Sequence, residues 1–198
     1  MPRRDVDLCD GEYYHFYNRG HDRERIFYER TNYVFFLRGI WKYLVPVLEV
    51  VAYCLMPTHY HFLVLVKEDA GVCQSPDIPA VSRAMQRFSI SYTKAMNKRY
   101  ERVGALYQGA FRAKHVDEDR YLMHLSRYIH LNPVFAGLVK RPEDWEFSSY
   151  SDYVGVREGR LPSPEIVLSQ FASGKAYQAF VESYIPQERG VIAELLFD

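Results

Sequence analysis

Two histidines one residue apart, His59 and His61, are the first residues in this chain that can do chemistry. They lie in Met56-Pro57-Thr58-His59-Tyr60-His61-Phe62-Leu63-Val64-Leu65-Val66, where β-branched and aromatic residues follow a turn-prone Pro-Thr pair and favour a strand. In a strand, residues i and i+2 project from one face, so the two imidazoles stand side by side while Tyr60 points into a core. Two neutral imidazoles suit a divalent ion and leave positions open for a third protein ligand, water or a substrate oxygen. A lone His-x-His is more often structural than metal-binding, so the rest of the chain has to decide.

A second constellation lies between Asp117 and Pro133. Asp117 can cap a helix, and Glu118 and Asp119 place negative charge in its first turn, where the helix dipole favours it. Leu122, Leu125 and Ile129 form the face expected to be buried, whereas His124, Tyr128 and Asn132 recur every four residues and share another. Pro133 disfavours helical geometry in the residue before it, which predicts an end at Asn132. A tyrosine and an amide four apart can address one small object. With seventeen tyrosines in the chain, packing is the commoner fate of any one of them. An ordinary phenol, with a pKa of about 10, attacks only with help from a base or against an electrophile made more reactive by a metal.

Charge is distributed unevenly. Formal net charge is zero, which argues against non-specific coating of nucleic acid. Between Arg83 and Lys114, however, eight basic residues (Arg83, Arg87, Lys94, Lys98, Arg99, Arg102, Arg112 and Lys114) face a single acid, Glu101. Most such stripes are solvated faces. The functional alternative is a track for a phosphate backbone, with Tyr100, Tyr107 and Phe111 available to stack on unpaired bases. Asn18 and Arg19 are candidates for DNA contact, though a turn explains them equally well.

The elements that position these residues follow from periodicity. Glu12–Asn18 reads as a strand ended by Arg19-Gly20-His21, Glu29–Tyr43 as an amphipathic helix, and Val47–Leu55 as a strand forming a hairpin with the histidine strand. Lys67–Pro79 reads as a surface loop and Ala80–Arg99 as a helix with Val81, Ala84, Met85, Phe88 and Tyr92 on one face. Leu106–Val116 reads as a further strand before the tyrosine helix. This order predicts an α+β fold, a ferredoxin-like (RRM-like) antiparallel sheet with helices packed on one face. Residues 1–154 are read as the catalytic domain and 155–198 as a small C-terminal helical extension, with Lys175–Tyr184 as a helix. The 198 residues support one domain body. No apolar run is long enough for a membrane span or a signal-peptide core, which predicts a cytoplasmic protein without a membrane partner. Three cysteines without C-x-x-C spacing predict reduced thiols.

Collinear motifs carry a resemblance. Tyr53-Cys54-Leu55-Met56-Pro57-Thr58-His59-Tyr60-His61-Phe62 resembles the His-hydrophobic-His block of the single-tyrosine transposases of the HUH endonuclease superfamily, the insertion-sequence and REP-associated group. Arg127-Tyr128-Ile129-His130-Leu131-Asn132-Pro133-Val134 is similar to that group's tyrosine-bearing helix end. Tyr14-His15-Phe16-Tyr17-Asn18-Arg19-Gly20, Leu106-Tyr107-Gln108-Gly109-Ala110-Phe111-Arg112 and Trp145-Glu146-Phe147-Ser148-Ser149-Tyr150 match its other blocks, so the likeness spans roughly residues 13–153. It implies that His59, His61 and Asn132 bind a divalent ion, Mg or Mn, and that Tyr128 is the nucleophile. The implied activity is metal-dependent single-strand DNA endonuclease and strand transferase chemistry through a 5′-phosphotyrosine intermediate. Single-stranded or hairpin DNA is the implied partner, and the basic run and the opening strand supply Arg83, Arg87, Lys94, Lys98, Arg112, Lys114, Asn18 and Arg19 as candidates to bind it. One tyrosine per chain implies a homodimer or sequential use of one site. Ala110 and Phe135 stand where many members carry a basic residue, which bears on affinity more than on chemistry. Two alternatives remain: a domesticated, inactive DNA-binding module of the same fold, and a metallohydrolase using the histidine pair with water as nucleophile.

Overall fold

The computed structural model describes residues 6–71 and 78–184. Four strands, β1 (Tyr13–Arg19), β2 (Leu48–Met56), β3 (His59–Val66) and β4 (Arg112–Val116), form one antiparallel sheet in the order β2-β3-β1-β4. Three longer helices alternate with them, α1 (Arg30–Gly39), α2 (Ala80–Arg99) and α3 (Asp119–Phe135). Three short ones follow, α4 (Tyr150–Tyr153), α5 (Glu165–Leu168) and α6 (Gly174–Glu182). This is the expected α+β architecture, and no helix among the described residues is long and apolar enough to cross a membrane.

Register sorts the side chains into two layers. On one face Tyr14, Phe16, Tyr60, Phe62 and Val64 pack with Phe36 of α1 and Phe88 and Tyr92 of α2. The opposite face carries the histidines. Arg19 pairs with His59, Tyr17 with His61 and Arg112, and His15 with Leu63 and Lys114, so all these residues share one side. That side is covered in part by α3, with α4, α5 and α6 outside it, around Ala52, Cys54, Leu63, Leu125, Ile129, Tyr153 and Tyr177. Helices therefore cover both faces of the sheet, because α3 brings its own apolar stripe to the face that α1 and α2 leave open.

Several local expectations are revised. Residues Ile40–Leu44 continue α1 as a wider π-type turn, in which Trp41 is 46% exposed. The strand expected from Leu106 begins only at Arg112. Gly104 takes a positive φ, and the loop is bonded instead through His21 N–H to Leu106 O and Gln108 N–H to Arg19 O. The tyrosine helix does not stop at Asn132. Pro133 lies inside it, buried, and Ala136 N–H bonds Asn132 O beyond it before Gly137, at φ +68°, ends the helix. Cys9 is disulfide-bonded and Cys54 is a free buried thiol, so the thiols are not uniformly reduced. The loop expected over Lys67–Pro79 lies partly, and the extension beyond Tyr184 wholly, outside the described residues.

Candidate functional site

The turn between β2 and β3 sets the position of the histidine pair. Pro57 O accepts the N–H groups of Ile26 and Phe27, and Thr58 O accepts that of Gly20, so the turn is anchored to the segment after β1. His59 and His61 then extend from one face with ring centroids 5.0 Å apart. Each ring is held at Nδ1, His59 by Thr58 Oγ1 at 2.9 Å and His61 by His15 Nε2 at 2.9 Å. Each Nε2 faces α3: that of His59 lies 3.3 Å from Asn132 Oδ1, and that of His61 lies 3.5 Å from the Tyr128 hydroxyl. The side chains expected to act together are thus brought together from two elements more than sixty residues apart in sequence.

Burial sets the electrostatics. His61 is held well below the usual histidine range, first by desolvation and then by His59 and His15. Burial also lowers His59, against a hydrogen bond to Asn132, and holds His15 at about 3 with the help of Lys114. Three neutral imidazoles result, and neutral imidazole is the form that binds cations. The Tyr128 phenol is pushed up by burial, opposed by its hydrogen bond to Asn132, and stays protonated at neutral pH.

A divalent ion fits this donor set. With both Nδ1 atoms engaged, the His59 Nε2 faces Asn132 Oδ1 and the His61 Nε2 faces the Tyr128 hydroxyl, and Asn132 Nδ2 is buried without a hydrogen-bond partner. Among the described residues no group of three or more His, Cys, Asp or Glu side chains gathers to hold a metal. A cleft of about 200 Å³ opens beside the pair, lined by Tyr17, Asn18, Arg19, His59, His61, Gln108, Gly109, Ala110 and Arg112.

The remaining candidates divide by layer. Arg112 and Lys114 are exposed on the histidine face, and Lys114 reaches over the Tyr121 ring. Arg19 lines the cleft with its Nε donating to Gln108 Oε1. Asn18 points toward the opposite face and braces the loop, its Nδ2 donating to Gly109 O at 3.1 Å. Arg83, Arg87, Lys94 and Lys98 are exposed on α2, across the sheet from the histidines. His124 turns away from Tyr128 and Asn132 to bond Arg127 and pack on Phe180. His15 and Tyr17, which are not among the expected site residues, also stand on the histidine face. The alternation His15-Phe16-Tyr17-Asn18-Arg19 contained the signal, since its odd-numbered members share the histidine face.

No protein-family model and no curated protein matches the chain. Among solved structures, it is similar to a REP-associated tyrosine transposase bound to a REP hairpin, with 22% identity, a TM-score of 0.60, and coverage of 78% of this chain and 86% of that one. The chain shares the fold of that transposase. It also overlaps a Deinococcus radiodurans R1 protein described as a candidate transposase, with 18% identity over 64% of this chain and 95% of that one at a TM-score of 0.37. A third overlap is with a bacterial tRNA(His) guanylyltransferase-like protein in complex with GTP, with 10% identity over 65% of this chain and 67% of that one at a TM-score of 0.39.

Proposed function

We propose that the chain is a metal-dependent, single-strand DNA endonuclease and strand transferase that acts through Tyr128 on single-stranded or hairpin DNA. The observation that carries this is the approach of Tyr128 and Asn132 of α3 to His61 and His59 of β3, with both imidazoles held by partners at their far nitrogens. The shared fold with a hairpin-bound tyrosine transposase supports it.

His59, His61 and Asn132 would hold a divalent ion, Mg or Mn, which supplies polarisation of the scissile phosphate and stabilisation of its developing charge. Arg19 and Arg112 border the cleft and can bind the flanking phosphates, and the Tyr17 ring offers a face for an unpaired base. Asn132 bonds both Tyr128 and His59, so it aims the phenol oxygen at the same point as the imidazoles. In the reaction, the Tyr128 oxygen forms a bond to phosphorus while the bond from phosphorus to the 3′-oxygen breaks. The phenol proton is released, the 3′-oxygen takes one up, and the products are a 5′-phosphotyrosine and a free 3′-hydroxyl. Attack by a 3′-hydroxyl reverses these changes and joins strands without a nucleotide cofactor. With one tyrosine per chain, paired cuts require a homodimer or two rounds at one site.

The test is a hairpin oligonucleotide with a single-stranded flank, incubated with Mn²⁺ and resolved by denaturing electrophoresis. A covalent protein–DNA adduct is expected, and it is lost in Tyr128→Phe and on chelation. Strand cleavage that survives Tyr128→Phe but not His59→Ala would instead establish a metallohydrolase with water as nucleophile. Binding of the hairpin without adduct under any metal would establish the inactive module.

A further inference from the structure

His15 is a buried imidazole that the proposed chemistry does not touch. It comes from β1, faces Leu63 of β3 across the sheet and is 7% exposed. Its Nε2 lies 2.9 Å from Nδ1 of His61, with the two rings inclined by only 22°. Near-coplanar rings with facing nitrogens are arranged for an in-plane N–H···N hydrogen bond. Two neutral imidazoles in this arrangement hold one proton between them, and its location fixes the other end of the His61 ring. If it sits on His61 Nδ1, the lone pair of His61 Nε2 is directed toward the Tyr128 hydroxyl. If it sits on His15, His61 has its remaining proton on Nε2 and cannot ligate a cation there.

The surroundings hold His15 in place for this role. Tyr17 stacks on its ring with centroids 4.7 Å apart, and His15 is buried. His59 is also held at its Nδ1, by the Thr58 hydroxyl.

We infer that His15 is a positioning residue: it accepts the Nδ1 proton of His61 and so keeps the His61 Nε2 lone pair aimed at the cation position. The inference rests on the metal reading of His59, His61 and Asn132. Partners of this kind typically change metal affinity about 10- to 100-fold when removed. A glutamine at position 15 places a carbonyl oxygen where the imidazole Nε2 now lies, whereas leucine fills the space without an acceptor.

The test measures Mn²⁺ binding without DNA, by loss of the free-ion electron paramagnetic resonance signal, in wild type, His15→Leu, His15→Gln and His61→Ala. His15→Leu is expected to weaken Mn²⁺ about 10- to 100-fold, with His15→Gln restoring most of the affinity. Wild-type affinity in a folded His15→Leu overturns the inference. Long-range ¹H–¹⁵N spectra of the metal-free wild-type protein give a second readout that does not depend on how the variants fold. His61 is expected as the Nδ1–H tautomer, and an Nε2–H tautomer overturns the inference. Unchanged affinity in His61→Ala overturns the metal reading itself, a failure separable from that of His15 alone.

Discussion

His130 lies on α3 between the two residues proposed to act, and it faces away from them. Its Nδ1 is 2.7 Å from the Tyr177 hydroxyl of α6, and its Nε2 is 2.8 Å from Ser149 Oγ. Ser149 in turn bonds the backbone of Tyr53 in β2. His130 thereby fixes the rotation of α3 that turns Tyr128 and Asn132 toward the sheet. Burial holds its pKa at about 3, below the ordinary 6.5 of the unfolded chain. Below about pH 6.5 the unfolded state therefore binds a proton that the folded state refuses. The stability contribution is complete above that pH and is lost progressively as pH falls toward 3, by up to about 1.4 kcal/mol per pH unit. His15 and His61 add to the slope in the same direction. Urea unfolding at pH 7, 6 and 5 should show a steadily falling midpoint, and His130→Gln should be less stable at pH 7 with a shallower acid dependence.

At the scale of elements, the position of α2 separates two kinds of basic residue that the sequence presents as one run. Its stripe of Arg83, Arg87, Lys94 and Lys98 lies in the layer opposite the histidines, whereas Arg112 on β4 borders the cleft. Replacing the four α2 residues by glutamine should reduce affinity for long DNA and flatten its salt dependence while leaving adduct formation on a short oligonucleotide near wild type. Arg112→Gln should impair the short substrate as well, as seen in adduct yield against DNA concentration. Periodicity made α2 legible to the residue, since both its ends match the expectation of Ala80–Arg99. The histidine strand was equally legible, because its β-branched and aromatic residues follow a turn-prone Pro-Thr pair. Other parts were not. The late start of β4 depends on tertiary bonds to Arg19 and His21, and the passage of α3 through Pro133 depends on burial at its end. Neither is encoded in local propensity. His15 was visible as a residue but not as a partner, because its contact with His61 is set by strand order.

For the whole molecule, residues 155–184 pack as part of the body that holds α3. α5 and α6 contribute Val167, Tyr177 and Val181 to the same apolar cluster as Leu125 and Ile129. The Arg127 guanidinium lies 4.4 Å from the ring centroid of Phe180 in α6 and 3.9 Å from that of Tyr184 just beyond it, so this end of the chain also clamps α3 through its charged side. A chain ending at residue 154 should melt well below the full chain by calorimetry, with adduct formation falling in parallel, because the rotation of the tyrosine helix is no longer fixed. A free-standing catalytic body would show neither change.

The anchored turn at Pro57-Thr58 has a consequence for how the gene can vary. Adding or deleting one residue there would slip β3 past its neighbours by one position, sending both imidazoles into the aromatic layer and Tyr60 and Phe62 out toward the cleft. Point changes in this hairpin are graded in effect, but length changes are all-or-none, so natural length variation should fall elsewhere in the chain.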